Sequence, residues 1–346
     1  MRLYYKAVAV NPAAVSMRSG RVELGSGPAI LLHGGAWDIP SDETDRHIDG
    51  MVRALEAGIR ALEQGRAAEE VVVEVVATQE ASGVFDAGSG SVLTRTGIVE
   101  MDAGVMRGED LAFGAVGALR TVAHPIKAAH LVLESGKGQV RFMAGREAER
   151  HLHDAGIPRA SVSDLIHPRE QRRWEVLQKD PAWHTSEAFL ASVPRGTVGC
   201  VVRDARGQMA AGTSTGGTPF RPEGRVGDSP LPGCGYYADR DAAASSTGWG
   251  EAIASAGLAG RAVAAVERGV DVLKAAEGEI HRMRTRISNH AGVDASAGLI
   301  LLSSAGPGAW AYNTPRMARG AWSADSGLWT RLDPAGPSAE HGERQE

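Results

Sequence analysis

RGTVGCVVRDARGQMAAGTSTGG, residues 195–217, decides how the rest of the chain is read. Two runs of small and β-branched residues, Thr197 to Val202 and Gln208 to Thr213, flank Asp204-Ala205-Arg206-Gly207. Aspartate and glycine are turn formers, so the stretch reads as a β-hairpin whose small side chains suit a tightly packed sheet.

Other elements are legible on either side of it. Ala29-Ile30-Leu31-Leu32 is a short apolar run ending in His33-Gly34-Gly35-Ala36-Trp37, a buried strand delivering a glycine-rich loop, and ordered structure is expected from about Pro28. Met51, Leu55, Ile59 and Leu62 recur at spacings of four and three, which predicts one apolar face of a helix between Thr44 and Gln64. Over Ala67 to Ser82, the β-branched run Val71-Val72-Val73-Glu74-Val75-Val76 argues for a strand, but the length and the leading Glu69-Glu70 favour a helix. The alternating runs of SVLTRTGIVEMDAGV, residues 91–105, predict a hairpin about Thr96-Gly97. Helices are expected over His124 to Ser135, Gly145 to Ala155, Trp249 to Arg268 and Val270 to Ile287, and strands over Ala297 to Ser303 and Ala309 to Tyr312. Gly156 to Arg195 loses periodicity and gathers charge at Arg169 to Arg173, the pattern of a solvated surface linker; Gly336 to Glu346 is a polar tail. Antiparallel strands bracketed by helices imply an α+β layered sandwich in one domain.

Composition narrows the function. Of 346 residues, 43% are hydrophobic and 23% charged, so disorder is excluded as a general description. Lys+Arg 37 against Asp+Glu 42 gives a net charge of −5, without the basic excess that binding to a phosphate backbone requires. Two cysteines, Cys200 and Cys234, make neither a disulfide framework nor a zinc site and fit a reducing compartment. No apolar leader or membrane-spanning run is present, so the expectation is a cytoplasmic protein with no nucleic-acid or membrane partner. There are 44 glycines, nearly twice the usual share of ~7%.

Two nucleophiles compete. Gly212-Thr213-Ser214-Thr215-Gly216 matches the G-x-S-x-G string of serine hydrolases, and His33-Gly34-Gly35 resembles their oxyanion loop. A nucleophile elbow, however, needs a helix directly after the serine. Ser214 is followed by TGGTPFRPEGRVGDSP, and the closing histidine would have to be His281, His290 or His341. The other candidate is Thr197. Cleavage of Gly196–Thr197 would free an amine and leave Oγ1 at a chain end, as an N-terminal-threonine hydrolase needs, and glycine permits a strained scissile peptide. In isolation GTVG also opens ordinary buried strands, so its company matters. In Gly224-Arg225-Val226-Gly227-Asp228, Arg225 offers a planar fork for a carboxylate and Asp228 an acceptor for an ammonium, the two charged ends of an α-amino acid. An Arg–Asp ion pair within the loop is the plainer alternative. Ser246-Thr247-Gly248-Trp249-Gly250-Glu251 puts a hydroxyl and backbone N–H groups at a helix start, suited to developing negative charge or simply to capping.

In this order and spacing, HGGAW, FDAGSGSVLTRTGIVEMDAGVM, GTVG, TSTGG, GRVGDSPLPG and YNTPRMARG resemble the plant-type asparaginase and isoaspartyl peptidase family of N-terminal-nucleophile hydrolases, from about Pro28 to Met317. The resemblance implies a four-layer αββα sandwich and self-cleavage into an α chain, 1–196, and a β chain, 197–346. It implies that Thr197 is the nucleophile and its own amine the base, with Thr215 orienting it. Arg225 would bind the substrate α-carboxylate, Asp228 and the Gly250 carbonyl its α-amine, and Thr247 with Gly248 the oxyanion. The substrate would be asparagine or a β-aspartyl dipeptide. No cofactor is implied beyond a structural sodium ion held by carbonyls around Gln79 to Phe85, and the assembly would be a dimer of αβ units. Glycosylasparaginases share GRVGDSPLPG, but HGGAW and the second glycine of TSTGG favour the asparaginase side. A non-processing amino-acid-binding relative is the remaining alternative. One departure stands out: the family's usual Asn before Ala-Gly is Asp86 here, which, if ionised near the nucleophile's amine, would raise that amine's pKa.

Overall fold

The computed structural model describes residues 16–179, 196–288, 292 and 294–333; the polar tail expected at 336–346 lies outside them. The expected hairpin forms as β6 (Val198–Arg203) and β7 (Met209–Thr215). It lies at the centre of an eight-stranded sheet. On one side it adjoins β2 (Ala29–Trp37), then β12 (Arg316–Ser323) and β13 (Gly327–Arg331). On the other are β3 (Met101–Arg107), β4 (Ala112–Leu119) and β5 (Phe142–Ala144), the last pair being parallel. A second, five-stranded sheet runs in the order β1 (Arg18–Glu23), β11 (Pro307–Tyr312), β10 (Ala297–Ser303), β9 (Ala242–Gly248) and β8 (Tyr236–Ala238).

Period-two alternation divides the side chains among three packed layers. Val198, Cys200 and Val202 pack under α1 (Thr44–Glu63), α2 (Ala68–Ala81) and α3 (Pro125–Ser135), whereas Val201 and Ala211 meet Ala243, Ile300 and Leu302 of the facing sheet. On the far side, Leu299 and Leu301 pack with Ala262, Val263, Ala276 and Ile280 of α8 (Leu258–Glu267) and α9 (Val272–Arg286). Helices, sheet, sheet, helices: the four-layer αββα sandwich expected from the sequence is present.

Several expectations need correction. Ordered structure begins before Pro28, because β1 pairs with β11. The turn at Thr96-Gly97 closes only an isolated bridge, Leu93 to Val99, and the extended strand starts at Met101. The helix expected over Trp249 to Arg268 breaks at Gly257, which takes φ +62°, into α7 (Gly250–Ala256) and α8. Strands β12 and β13 had no reading in the sequence.

The charged segment after Gly156 is also more than a solvated linker as far as Lys179. After α4 (Gly145–Asp154) it forms α5 (Val162–Leu165) and α6 (Pro168–Leu177), with Pro168 in the first turn. Glu170 is buried between the guanidinium groups of Arg169 (2.6 Å) and Arg173, and Arg169 also donates to the Val84 carbonyl (3.2 Å). Leu165 and Trp174 cover Leu93, Val99 and Met101. Residues 180–195 of the expected linker lie outside the described region.

Candidate active site

Thr197 immediately precedes β6, and Thr215 ends β7 one residue beyond the Val198–Ser214 pair of the ladder. Since Val198 and Ser214 face the helices, Thr197 and Thr215 face the second sheet. Thr197 Oγ1 donates to Thr215 Oγ1 at 3.1 Å, and Thr215 Oγ1 also accepts the Gly217 N–H at 2.9 Å. Thr215 is buried while Thr197 keeps partial exposure, as a reactive group must. Gly196 is enclosed: a Cβ there would lie 3.2 Å from the Gly34 carbonyl and 3.5 Å from both Trp37 Nε1 and Asp86 N.

Opposite stands β9. Ala242 and Ala244 face α8 and α9, so Ser245 and Thr247 alternate onto the inner face with Ala243. Thr247 Oγ1 accepts the Ala36 N–H at 3.3 Å, which leaves its hydroxyl proton free for another acceptor. Gly248, next along, has φ +132°.

Gly250 brings the charged groups together. A Cβ on it would lie 2.8 Å from both Arg225 Nη2 and Asp228 Oδ1, so only glycine lets the two approach one stretch of backbone. Arg225 Nε donates to Glu251 Oε1 at 2.9 Å. Burial opposes the Arg225 charge, but the Glu251 contact overrides it and the pKa is raised. Burial pushes Asp228 up to about 7 against the pull of Arg225, and its Oδ2 has no hydrogen-bond partner among the described residues. A half-neutral carboxyl with an unsatisfied oxygen beside a guanidinium suits a ligand carrying both an ammonium and a carboxylate. The Arg–Asp ion pair within the loop is therefore not the resting arrangement; Arg225 hydrogen-bonds Glu251 instead.

Asp86 lies on the loop behind Thr197. Its Oδ1 accepts the Val92 N–H at 2.9 Å, and burial raises its pKa to about 7. The carboxylate lies against Gly216.

Ser214, by contrast, is wholly buried on the helix side, beside the buried Glu80 carboxyl, which takes the Ile126 N–H (3.0 Å) and meets His124 Nδ1 (3.2 Å). No helix follows it. His281 belongs to α9, on the outer face of the other sheet, and His290 and His341 lie outside the described residues. The geometry overturns the serine-nucleophile reading.

The family profile described as asparaginase matches residues 26–330. The chain belongs to that asparaginase family. Among similar proteins, the isoaspartyl peptidase/L-asparaginase of Bos taurus is 38% identical over 294 residues, covering 84% of this chain and 91% of its own. Those of Homo sapiens (36% over 311 residues; 89% and 96%) and Mus musculus (37% over 279; 80% and 82%) are alike. Three groups close to these residues escaped the sequence reading. Glu251 orients Arg225. His33, kept neutral by burial that lowers its pKa to about 3, meets Ser245 Oγ at 2.8 Å beside the Thr197 backbone. Arg221 is fully buried next to Gly217. The first was readable as a carboxylate one residue after Gly250, whereas the other two depend on packing between distant segments. Among the described residues no helix is long and apolar enough to cross a membrane.

Proposed function

We propose that the chain is a self-processing threonine amidohydrolase that cleaves β-aspartyl amide bonds, in isoaspartyl dipeptides and in L-asparagine, and releases L-aspartate. The observation that carries this reading is the 3.1 Å hydrogen bond from Thr197 to Thr215, directly after the enclosed Gly196. The names of the similar proteins supply the substrate class.

Processing begins when Thr197 Oγ1 attacks the Gly196 carbonyl carbon. The peptide C–N bond breaks as the ester forms, the Oγ1 proton passing to the freed Thr197 amine, and water then hydrolyses the ester to a Gly196 carboxylate and the regenerated Thr197 hydroxyl. In the mature site this amine takes the Oγ1 proton and Oγ1 attacks the substrate's side-chain carbonyl. Charge developing on that oxygen meets the Thr247 hydroxyl and the Gly248 N–H. The substrate's amide nitrogen leaves, as an amino acid or as ammonia, with the proton returned from the Thr197 amine, and water releases aspartate from the threonyl ester. Arg225 holds the α-carboxylate, and Asp228 with the Gly250 carbonyl holds the α-ammonium, so the scissile bond is presented in one orientation.

A sodium ion suits the loop behind Asp86. A Cβ on Gly88 would lie 2.5 Å from the Glu80 carbonyl oxygen and one on Gly90 would collide with that of Phe85, so these glycines leave a cradle lined by carbonyl oxygens. Bound there, the ion would stiffen the turn that carries Asp86. Two free cysteines suit the reducing cytoplasm, and the assembly would be a dimer of αβ units.

Intact-mass measurement of purified protein tests the proposal. Two chains, the second beginning at Thr197, together with aspartate release from β-aspartyl dipeptides are the expected result. A stable single chain lacking hydrolysis would overturn it.

A further inference from the structure

The two glycines that follow Thr215 are gripped from both sides. A Cβ on Gly216 would collide with Asp86 Oδ1, and one on Gly217 would lie 2.7 Å from Arg221 Cζ and 2.9 Å from its Nε. Asp86 is tied to the same turn through its carbonyl, which accepts the Gly216 N–H at 2.9 Å. Arg221 is fully buried, yet only Nη2 is engaged, donating to the Glu100 carbonyl at 2.5 Å. Its Nε and Nη1, like Asp86 Oδ2, have no hydrogen-bond partner among the described residues. Buried charge in this state is costly and persists where something compensates for it. Arg221 faces the carboxylates of Asp86, Asp102 and Glu100, with Arg225 opposing. The residue before it, Phe220, has φ +59°, a strained conformation for a bulky side chain.

The clamped turn leads to the nucleophile. The Gly217 N–H donates to Thr215 Oγ1, which accepts from Thr197. We infer that Arg221 is a positioning residue: together with Asp86 it clamps Gly216-Gly217, so that the Gly217 N–H fixes the Thr215 hydroxyl against Thr197. The clamp acts through Thr215 and touches no substrate. It rests on the reading of Thr197 as nucleophile.

The test compares wild type with Arg221→Met, Arg221→Lys, Asp86→Ala and the Asp86→Ala/Arg221→Met double variant, following chain cleavage, kcat, KM and thermal melting. Arg221→Met is expected to slow cleavage and to lower kcat about 10- to 100-fold, the cost of a slightly misplaced reacting group, with KM held within about twofold. Arg221→Lys, which keeps the charge without the planar face, falls between. In the double variant the loss is smaller than the product of the single losses, because the residues act as one unit. Wild-type kcat in Arg221→Met, or multiplicative losses in the double variant, overturns the inference. Should Arg221→Met fail to fold, Arg221→Lys decides: reduced kcat at unchanged KM supports the clamp, and wild-type kcat refutes it. Wild type run in parallel separates the two readings. Cleaved, active wild type beside an indifferent Arg221→Met removes the clamp alone; uncleaved, inactive wild type removes the nucleophile and the clamp with it.

Discussion

In the proposed mechanism Thr197, Arg225 and Asp228 divide the chemistry, and substitution separates their parts. Thr197→Ala removes the hydroxyl proposed to attack Gly196, so it is expected to remain one chain and to release no aspartate; mass spectrometry and an aspartate assay check both. Arg225→Ala keeps the nucleophile and is expected to cleave itself normally while losing about 100-fold or more in kcat/KM, as befits removal of a bidentate partner. Unimpaired hydrolysis in that variant would take the carboxylate out of its fork. Asp228 adds a pH dependence. Its folded pKa, about 7, lies above the ordinary 3.8 because burial favours the neutral form. Stability from this group is therefore full below pH 3.8 and is lost as pH rises through 7. In a Thr197→Ala background, Asp228→Asn should gain on its parent as pH rises from 5 to 8, by up to about 3 kcal/mol. Denaturant midpoints measured across that range report it, and a constant difference would contradict it. The same ionisation should give wild-type kcat/KM an acid limb near neutrality, because the neutral carboxyl cannot pair with an ammonium.

Among the elements, α6 departs most from its sequence pattern. A run reading PREQRRW has the composition of a solvated face, yet Glu170 is buried between Arg169 and Arg173, and Arg169 reaches the loop that carries Asp86. Removing one member of a buried ion cluster strands the others. Glu170→Ala is accordingly expected to cost about 3–5 kcal/mol of unfolding free energy, read as a lower denaturation midpoint at unchanged slope. A loss below about 1 kcal/mol would mean that the arginines find water instead. Other elements were easier to read. The four-and-three spacing of Met51, Leu55, Ile59 and Leu62 corresponds to α1, and Asp204 to Gly207 to the turn between β6 and β7. Thr96-Gly97 misled because a local turn signal carries no information about whether the strands beyond it extend.

At the scale of the whole molecule the two halves interleave. β6, from beyond the proposed cleavage point, lies between β2 and β7, and β12 completes the other side of β2, while β1 closes the edge of a small sheet otherwise built from the second half. Each half alone would leave ladder hydrogen bonds and both sheet faces open. Cleavage should therefore leave one particle: two bands on a denaturing gel, one peak by native size exclusion, and separation only in denaturant. Halves that part under native conditions would show that the interleaved ladders do not hold them.

The sequence by itself determined the family and carries the proposed chemistry, because each charged or nucleophilic group invoked lies in a short string whose glycines specify close backbone approach: Gly196-Thr197, Thr215-Gly216-Gly217, Gly224 to Asp228, and Thr247 to Gly250. It also determined the layered class, since strand and helix periods are local properties. Tertiary structure alone decided which groups meet. Ser214 and Thr215 are neighbours with similar side chains, and one position along a strand sends the first into the helix layer beside Glu80 and the second to Thr197. Likewise the pKa values of Asp86 and Asp228 and the clamp from Arg221 arise from burial among segments far apart in the chain. Desolvation and through-space charge are set by what the fold packs around a group, and no window of adjacent residues contains that.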